Sequence, residues 1–202
     1  MKKAIPFLFL VGIFSICAAY RFSPGIKIGD TIPKVDLPLK DISGKEITLG
    51  TALKGNGLLV MFSCNTCPYV VKNQLATKAV CSYALSKDIG VVLLNANEGQ
   101  RGSDDSFEEM KAYAADQGYN WYYGVDRDNI LANAFGASRT PEVYLFDKNK
   151  KLVYHGAIND NPSEPSEVKR MHLRIAMNEM IDGKAVSVAE TRSVGCGIKR
   201  KN

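Results

Sequence analysis

The chain has 202 residues, of which 46% are hydrophobic and 23% charged, a composition that suits one globular domain with a sizeable core. This composition excludes a collagen-like, coiled-coil or broadly disordered chain. The formal net charge of +5 owes much to the two ends, where Lys2, Lys3 and Lys199–Lys201 lie, and the nearly neutral body offers no basic footprint for nucleic acid.

The first residues, MKKAIPFLFLVGIFSICAA, have a basic start and an apolar run that ends in small residues. This layout predicts a secretory signal peptide at residues 1–19, cleaved after Ala19. The apolar run from Ala4 to Ala19 has 16 residues, whereas a membrane-spanning helix needs about 20. An uncleaved anchor, or a lipoprotein lipidated at Cys17, are the alternatives. We therefore expect export, to the periplasm or cell envelope, or secretion where there is no outer membrane.

Removal of the leader leaves four cysteines: Cys64, Cys67, Cys81 and Cys196. Outside the cytosol thiols are not kept reduced by glutathione and thioredoxin, so that a nearby pair tends to oxidise. We expect residues 20–184 to form one folded domain and residues 185–202 a C-terminal tail.

The body of the chain alternates strand and helix patterns. Continuous apolar runs mark strands that are buried on both faces, and prolines, glycines and acidic first turns mark the helix boundaries. The predicted elements are, in chain order, a hairpin at Lys40–Leu49, a strand at Gly57–Phe62, a helix from Pro68 with an apolar stripe of Val71, Leu75, Ala79 and Tyr83, a strand at Ile89–Asn95, a helix at Ser103–Gly118, a strand at Tyr119–Val125, a helix at Asn129–Phe135, a hairpin of Glu142–Phe146 and Lys151–His155, and a helix at Pro165–Asp182. This alternation predicts an α/β sandwich with a mostly parallel sheet.

The stretch SCNTCPY places Cys64 just after a buried strand and Cys67 at the start of the next helix. Reactive groups of open α/β sheets collect at the carboxyl ends of the strands. Unpaired N–H groups at a helix start stabilise a thiolate and lower its pKa. The two-residue spacing allows one thiolate to attack a partner disulfide and the other to resolve the mixed disulfide.

Two other uses of the pair are less well supported. A zinc site needs two further ligands, but there is no second CxxC, and the two histidines, His155 and His172, are 17 residues apart. A purely structural disulfide across so short a loop would constrain the unfolded chain little. We expect no metal and no cofactor.

Together these segments resemble thioredoxin-superfamily proteins of the redoxin group, which includes peroxiredoxin-like and alkyl-hydroperoxide-reductase-like domains. The resemblance covers about residues 28–198 and is carried by KDISGKEITL, GLLVMFSCNTCPYV, GVVLLNANE, DSFEEMKAYA, FGASRTPEVYLFDKNKKLVYHGAIND and GCGIK. It implies a thioredoxin-like fold with a central mixed β-sheet flanked by helices. It also implies exchange with a protein or small-molecule disulfide or thiol, and an upstream thiol reductant.

The resemblance assigns roles to particular residues. Cys64 would be the more exposed, attacking thiol and Cys67 its resolver. Pro141, at the start of a strand where proline is tolerated, would be a cis-proline whose loop, with Arg139 and Thr140, contacts substrate. An isolated Thr-Pro is by itself more often an ordinary trans turn.

The chain departs from the thioredoxin and peroxiredoxin patterns in several places. Ser63 stands where many thioredoxin-like sites have Trp, the strand GLLVMF carries no acid, and Cys64 stands where peroxiredoxins have Thr. Arg139 could match the arginine that lowers the pKa of a peroxidatic thiol, or be a solvated charge. A thiol–disulfide oxidoreductase fits these residues best. A thiol peroxidase that reduces hydroperoxides and a redox-inert thioredoxin-fold binding domain are the alternatives.

We expect different roles for the remaining two cysteines. Cys81 is 14 residues after Cys67, about 21 Å along a helix and beyond disulfide reach, so that we expect a core thiol. Cys196 follows the last helix by more than ten residues, and an extended tail of that length spans about 35 Å. It could return to the site as a third, resolving cysteine, an idea that the resemblance supports, or stay on a frayed tail.

Overall fold

The computed structural model describes residues 25–201, and the predicted leader with Cys17 lies outside them. Its elements are, in chain order, β1 (Leu39–Lys40), β2 (Glu46–Ile47), α1 (Leu49–Ala52), β3 (Leu58–Ser63), α2 (Pro68–Lys72), α3 (Gln74–Ser86), β4 (Gly90–Asn95), α4 (Phe107–Gln117), β5 (Tyr122–Val125), α5 (Ile130–Phe135), β6 (Arg139–Thr140), β7 (Glu142–Phe146), β8 (Leu152–Gly156), α6 (His172–Ile181) and β9 (Cys196–Gly197). Over this described stretch, no helix combines the length and apolar character that crossing a bilayer requires.

A five-stranded mixed sheet with the strand order β5-β4-β3-β7-β8 forms the centre of the fold. β3, β4 and β5 are parallel, whereas β7 runs antiparallel to both β3 and β8. Alternate residues of β3 enter two separate cores, with Val60 and Phe62 on one face and Leu59 and Met61 on the other. Because both faces are covered, β3 and β4 are buried throughout. The predicted central mixed sheet flanked by helices is confirmed.

The helix after the CxxC differs from the prediction, because it is interrupted. Asn73 separates α2 from α3 and donates its side-chain amide to the carbonyls of Tyr69 at 2.9 Å and Pro162 at 2.7 Å. The predicted apolar stripe is wrong, since Val71 is 54% and Leu75 83% exposed. The break at Asn73 resets the helical phase. The buried positions of α3 are instead Gln74, Thr77, Val80, Cys81 and Ala84.

The last helix begins later than predicted. Pro165–Glu167 is a 3₁₀ turn, and α6 starts only at His172. Asp160 keeps the intervening segment out of a helix, because its carboxylate accepts the N–H of Lys169 at 3.0 Å and its own N–H donates to the carbonyl of Arg170 at 3.1 Å. These bonds use backbone groups that a longer helix would need for itself.

Candidate active site

The CxxC lies where the sequence predicted it, at the carboxyl end of a central strand. Cys64 directly follows β3, and Cys67 is the residue that caps the start of α2, with Pro68 in the first turn. The peptide bond between Thr140 and Pro141 is cis, which confirms the expectation for Pro141. The structure therefore brings the CxxC and the Thr140–Pro141 loop together.

Cys67 is bonded to Cys196, and not to Cys64. The two Cα atoms are 6.0 Å apart, and the residues are separated by 129 positions in the chain. Within residues 25–201, Cys64 and Cys81 are free and buried. Cys81 is the expected core thiol, and burial raises its pKa. The expected pairing of the two CxxC cysteines is thus replaced by a bond between the CxxC and the tail.

The tail brings Cys196 to the site by pairing β9 with β6. Cys196 lies opposite Thr140, and the N–H of Ile198 donates to the carbonyl of Ser138 at 3.0 Å. Ile198 is buried against the core on one face of the sheet. On the other side of Cys196, the hydroxyl of Thr191 lies 2.7 Å from that of Tyr154. Because the tail is held on both sides of Cys196, the alternative of a frayed tail is wrong.

Cys64 differs from its expected role in two respects. It is 1% exposed whereas Cys67 is 5% exposed, so that Cys64 is the more buried of the pair. Burial raises the pKa of the Cys64 thiol, and the Asp105 carboxylate adds to this, although hydrogen bonds from the Thr140 hydroxyl and from the N–H groups of Cys67 and Thr66 act to lower it. The expected net lowering by the helix start is therefore wrong for Cys64, because desolvation is the larger effect.

Thr140 contacts both cysteines of the CxxC. Its hydroxyl Oγ1 lies 3.3 Å from Sγ of Cys64, where either atom can donate. Its carbonyl oxygen lies 3.2 Å from Sγ of Cys67. Arg139, by contrast, is exposed and takes part in β6 through its backbone. Of the predicted substrate contacts, Thr140 thus lies beside both sulfurs.

A buried carboxylate lies beneath the Cys64 loop, although β3 carries none. Asp105 is 0% exposed; its Oδ1 accepts the N–H of Asn65 at 2.9 Å and the amide of Asn95 at 2.6 Å, and its Oδ2 accepts the amide of Asn97 at 2.8 Å. The helix predicted from Ser103 begins only after this turn, at α4. The sequence prediction missed Asp105, and the signal for it was the polar run that follows β4.

A second buried carboxylate orders the loop before the cis-proline. Glu142 Oε2 accepts the N–H groups of Ser138 at 2.9 Å and Arg139 at 3.1 Å, and its Oε1 lies 2.7 Å from Nε2 of His155. Burial pushes the pKa of Glu142 up, but the bonds from His155, Ser138 and Arg139 outweigh this, and the net pKa lies below its ordinary value of 4.5. His155 also stacks on Tyr144.

The lowered pKa of Glu142 predicts a loss of stability in acid. Because the folded-state value lies below the unfolded one, the stabilisation by the carboxylate is present above about pH 4.5 and is lost as the pH falls through the folded-state pKa. We expect Glu142→Gln to lower the free energy of unfolding by about 1–3 kcal/mol at pH 7. The difference between the two proteins should shrink towards pH 3.

Urea unfolding of both proteins across this pH range measures the difference. Burial raises the pKa of Asp126 to about 6. Protonation of Asp126 as the pH falls therefore raises the free energy of unfolding, whereas protonation of Glu142 lowers it. Both proteins carry Asp126, so that its contribution cancels in the difference. A gap between the two unfolding free energies that does not change with pH would show that Glu142 has the same pKa in the folded and the unfolded state.

The central mixed sheet, the CxxC between β3 and α2 and the facing cis-proline define a protein of the thioredoxin superfamily. More narrowly, the chain belongs to the Redoxin family, whose profile matches residues 27–171. The recognition of a thioredoxin-superfamily redoxin protein is thereby confirmed.

Individual relatives agree with this assignment. The thiol-disulfide oxidoreductase ResA of Geobacillus thermodenitrificans is 28% identical over 161 residues, which cover 75% of this chain and 83% of ResA. A hypothetical protein of Sinorhizobium meliloti superposes with a TM-score of 0.80 at 31% identity, over 88% of this chain and 96% of that one. An uncharacterised conserved protein of Geobacillus kaustophilus gives a TM-score of 0.78 at 30% identity, over 87% and 93%.

Proposed function

We propose that this chain is an exported thiol–disulfide oxidoreductase in which Cys67 is shared by two partners, Cys64 and Cys196. The observation that carries the proposal is the bond of Cys67 to Cys196 with the free thiol of Cys64 in the same cluster. The Redoxin family match and the similarity to ResA, an oxidoreductase by name, support the enzyme class.

The exchange with a partner begins at the tail disulfide. Cys196 is partly exposed whereas Cys67 is 5% exposed, so that a partner thiolate has better access to the Cys196 sulfur. A bond then forms between the partner sulfur and Cys196, and Cys67 leaves with the electron pair and takes up a proton. The second thiol of the partner then attacks the partner sulfur of the mixed disulfide, so that the partner disulfide forms and Cys196 is released as a thiol. Two electrons pass from the partner dithiol to the protein, and the reverse sequence reduces a partner disulfide.

Cys64 offers a second route from the same bond. Its thiolate attacks Sγ of Cys67, the bond between Cys64 and Cys67 forms, and Cys196 leaves as a thiolate that takes up the proton from Cys64. Burial makes the Cys64 thiolate costly. The Thr140 hydroxyl and the two backbone N–H groups stabilise it when it forms. This isomerisation requires no external oxidant and frees Cys196 for a partner.

The proposed substrate edge is the one that the tail occupies. β9 pairs with β6 beside Thr140 and Pro141, where the resemblance places extended substrate backbone. The tail would therefore occupy this edge, and a partner peptide would pair with Arg139 and Thr140 only by displacing the tail from them. The leader expected at residues 1–19 supports an exported location, with disulfide- or thiol-bearing molecules and a thiol reductant as partners.

The experiment that tests the proposal uses two glycines that flank Cys196. A Cβ at Gly195 would overlap the carbonyl oxygen of Thr140, whereas a Cβ at Gly197 would have no heavy atom within 4 Å. We therefore expect Gly195→Ala to displace the tail and to lower the ratio of Cys67–Cys196 disulfide to open thiols about tenfold in glutathione buffers, since overlap of this kind costs about 1–3 kcal/mol. Gly197→Ala should leave it unchanged.

Peptide mapping of the oxidised proteins and insulin reduction give the two readouts. The proposal requires wild type and Gly197→Ala to reduce insulin at the same rate and Gly195→Ala to do so at a different rate. Equal disulfide fractions and equal rates in all three proteins would refute the role of the tail. Consumption of hydroperoxide without any reduction of insulin would favour the peroxidase instead, and a chain whose cysteines never exchange would be the redox-inert domain.

A further inference from the structure

We propose that Asp105 is a positioning residue for the exchange among Cys64, Cys67 and Cys196. Its carboxylate joins the loop that carries Cys64 to the tail that carries Cys196. Both sulfurs therefore keep their places beside Cys67 while bonds open and close. This inference deepens the proposed function and rests on it.

One arm of the junction fixes the loop after β3. Asp105 Oδ1 accepts the backbone N–H of Asn65 at 2.9 Å. The side chain of Asn65 donates to the carbonyl of Asp104 at 2.8 Å and accepts the hydroxyl of Tyr123 at 2.9 Å. Asn65 is 7% and Tyr123 0% exposed, so that water competes little for these bonds. Because Asn65 directly follows Cys64, this arm fixes the backbone that carries the Cys64 sulfur.

The other arm reaches the tail through Asn97. Its side-chain amide donates to Asp105 Oδ2 at 2.8 Å, and its Oδ1 accepts the backbone N–H of Lys199 at 2.9 Å. The carbonyl of Lys199 in turn accepts the N–H of Gly99 at 2.7 Å. Lys199 follows Cys196 by three residues. The arm thus holds the tail in place without using the disulfide.

The direction of these hydrogen bonds requires a carboxylate at position 105. Three N–H groups, from Asn65, Asn95 and Asn97, point at its two oxygens. A neutral amide there would offer one acceptor oxygen, and its NH₂ would face one of these donors. If the side-chain amide of Asn97 rotated by half a turn to accept from that NH₂, its own NH₂ would then face the N–H of Lys199. A change from carboxylate to amide at Asp105 therefore disrupts the loop arm or the tail arm.

Two variants separate the arms. Asp105→Asn alters both arms and removes the charge that adds to the raised pKa of Cys64, whereas Asn97→Ala cuts only the tail arm. We expect each variant to lower the ratio of Cys67–Cys196 disulfide to open thiols about tenfold in a glutathione buffer, as expected for a lost bond to a charged group. Only Asp105→Asn should also move the pH midpoint of Cys64 alkylation downward, as followed by mass spectrometry of the reduced protein.

Asp41→Asn is the matched control for loss of a buried carboxylate. Asp41 is 3% exposed and accepts the N–H groups of Tyr123 and Ser43, and it bonds to neither thiol-bearing segment. It should leave the disulfide ratio and the alkylation midpoint unchanged.

The outcomes distinguish this inference from the proposed function. Disulfide ratios that stay at the wild-type value in both variants would overturn the positioning role, while the exchange itself would stand. A wild-type chain that never forms the Cys67–Cys196 bond would contradict the proposed function directly. If Asp105→Asn does not fold, Asn97→Ala decides the matter, because Asp105 keeps its bonds to Asn65 and Asn95 in that variant.

Discussion

Replacing Cys67 by serine should reduce thiol–disulfide exchange to the uncatalysed rate. Cys67 is the sulfur bonded to Cys196 in the structure, and it is also the sulfur that Cys64 would attack. Its loss therefore removes both proposed pairings, whereas Cys64→Ser and Cys196→Ser each leave one pairing intact. We expect the order of insulin-reduction rates to be wild type, then the two single-pair variants, then Cys67→Ser at background.

Cys81→Ala is the control for this series. Cys81 is 0% exposed in the core between α3 and the sheet, where no partner thiol can reach it. Its replacement removes a thiol, costs some packing, and should leave the rate per folded molecule unchanged. Substantial exchange in Cys67→Ser, with Cys64 bonded to Cys196 in the oxidised protein, would show that Cys67 is not the shared sulfur.

The fold was predictable from the sequence because its central elements carry strong local patterns. The runs at β3 and β4 are apolar at nearly every position, and such runs of this length form strands that are covered on both faces. The helices at the rim were less predictable. Val71 and Leu75 have the spacing of a buried stripe but lie on the surface, because the side chain of Asn73 bonds to backbone carbonyls and interrupts the helix.

The site was predictable where it depends on chain-local motifs and not where it depends on contacts across the chain. Cys64, Cys67 and Pro141 are marked by their neighbours in sequence. The choice of Cys196 over Cys64 as the partner of Cys67 depends on a pairing that spans 129 residues. The role of Asp105 depends on three asparagine groups that meet only in the folded chain. The raised pKa of Cys64 depends on burial, which a motif does not report.

Loss of the tail disulfide should destabilise the protein substantially. The bond between Cys67 and Cys196 spans 129 residues, and closing a loop of that size lowers the entropy of the unfolded chain by an amount worth about 5 kcal/mol, of which natural disulfides commonly deliver about 2–4 kcal/mol. We expect Cys196→Ser to lower the free energy of unfolding by about 4 kcal/mol relative to the oxidised wild type. Urea denaturation without reductant measures this difference.

Cys64→Ser is the matched comparison for the stability experiment. It keeps the Cys67–Cys196 bond and loses only the contact with Thr140, so that it should cost about 1 kcal/mol. Equal unfolding midpoints for Cys196→Ser and the oxidised wild type would mean that the bond is absent from the folded protein in solution.

The stability of the fold and the redox potential of the tail disulfide are linked by one thermodynamic cycle. The free energy by which the bond stabilises the fold equals the free energy by which the fold stabilises the bond. About 4 kcal/mol therefore corresponds to a reduction potential about 85 mV lower in the folded protein than in urea. We expect the anchored segments on both sides of Cys196 to supply this difference, because their contacts do not involve the disulfide and would hold the Cys196 sulfur near Cys67 after reduction. Glutathione titrations in buffer and in urea measure the two potentials. A potential about 85 mV lower in the folded protein would mean that the docked tail contributes to the potential at which this protein exchanges electrons, whereas equal potentials in buffer and in urea would contradict it.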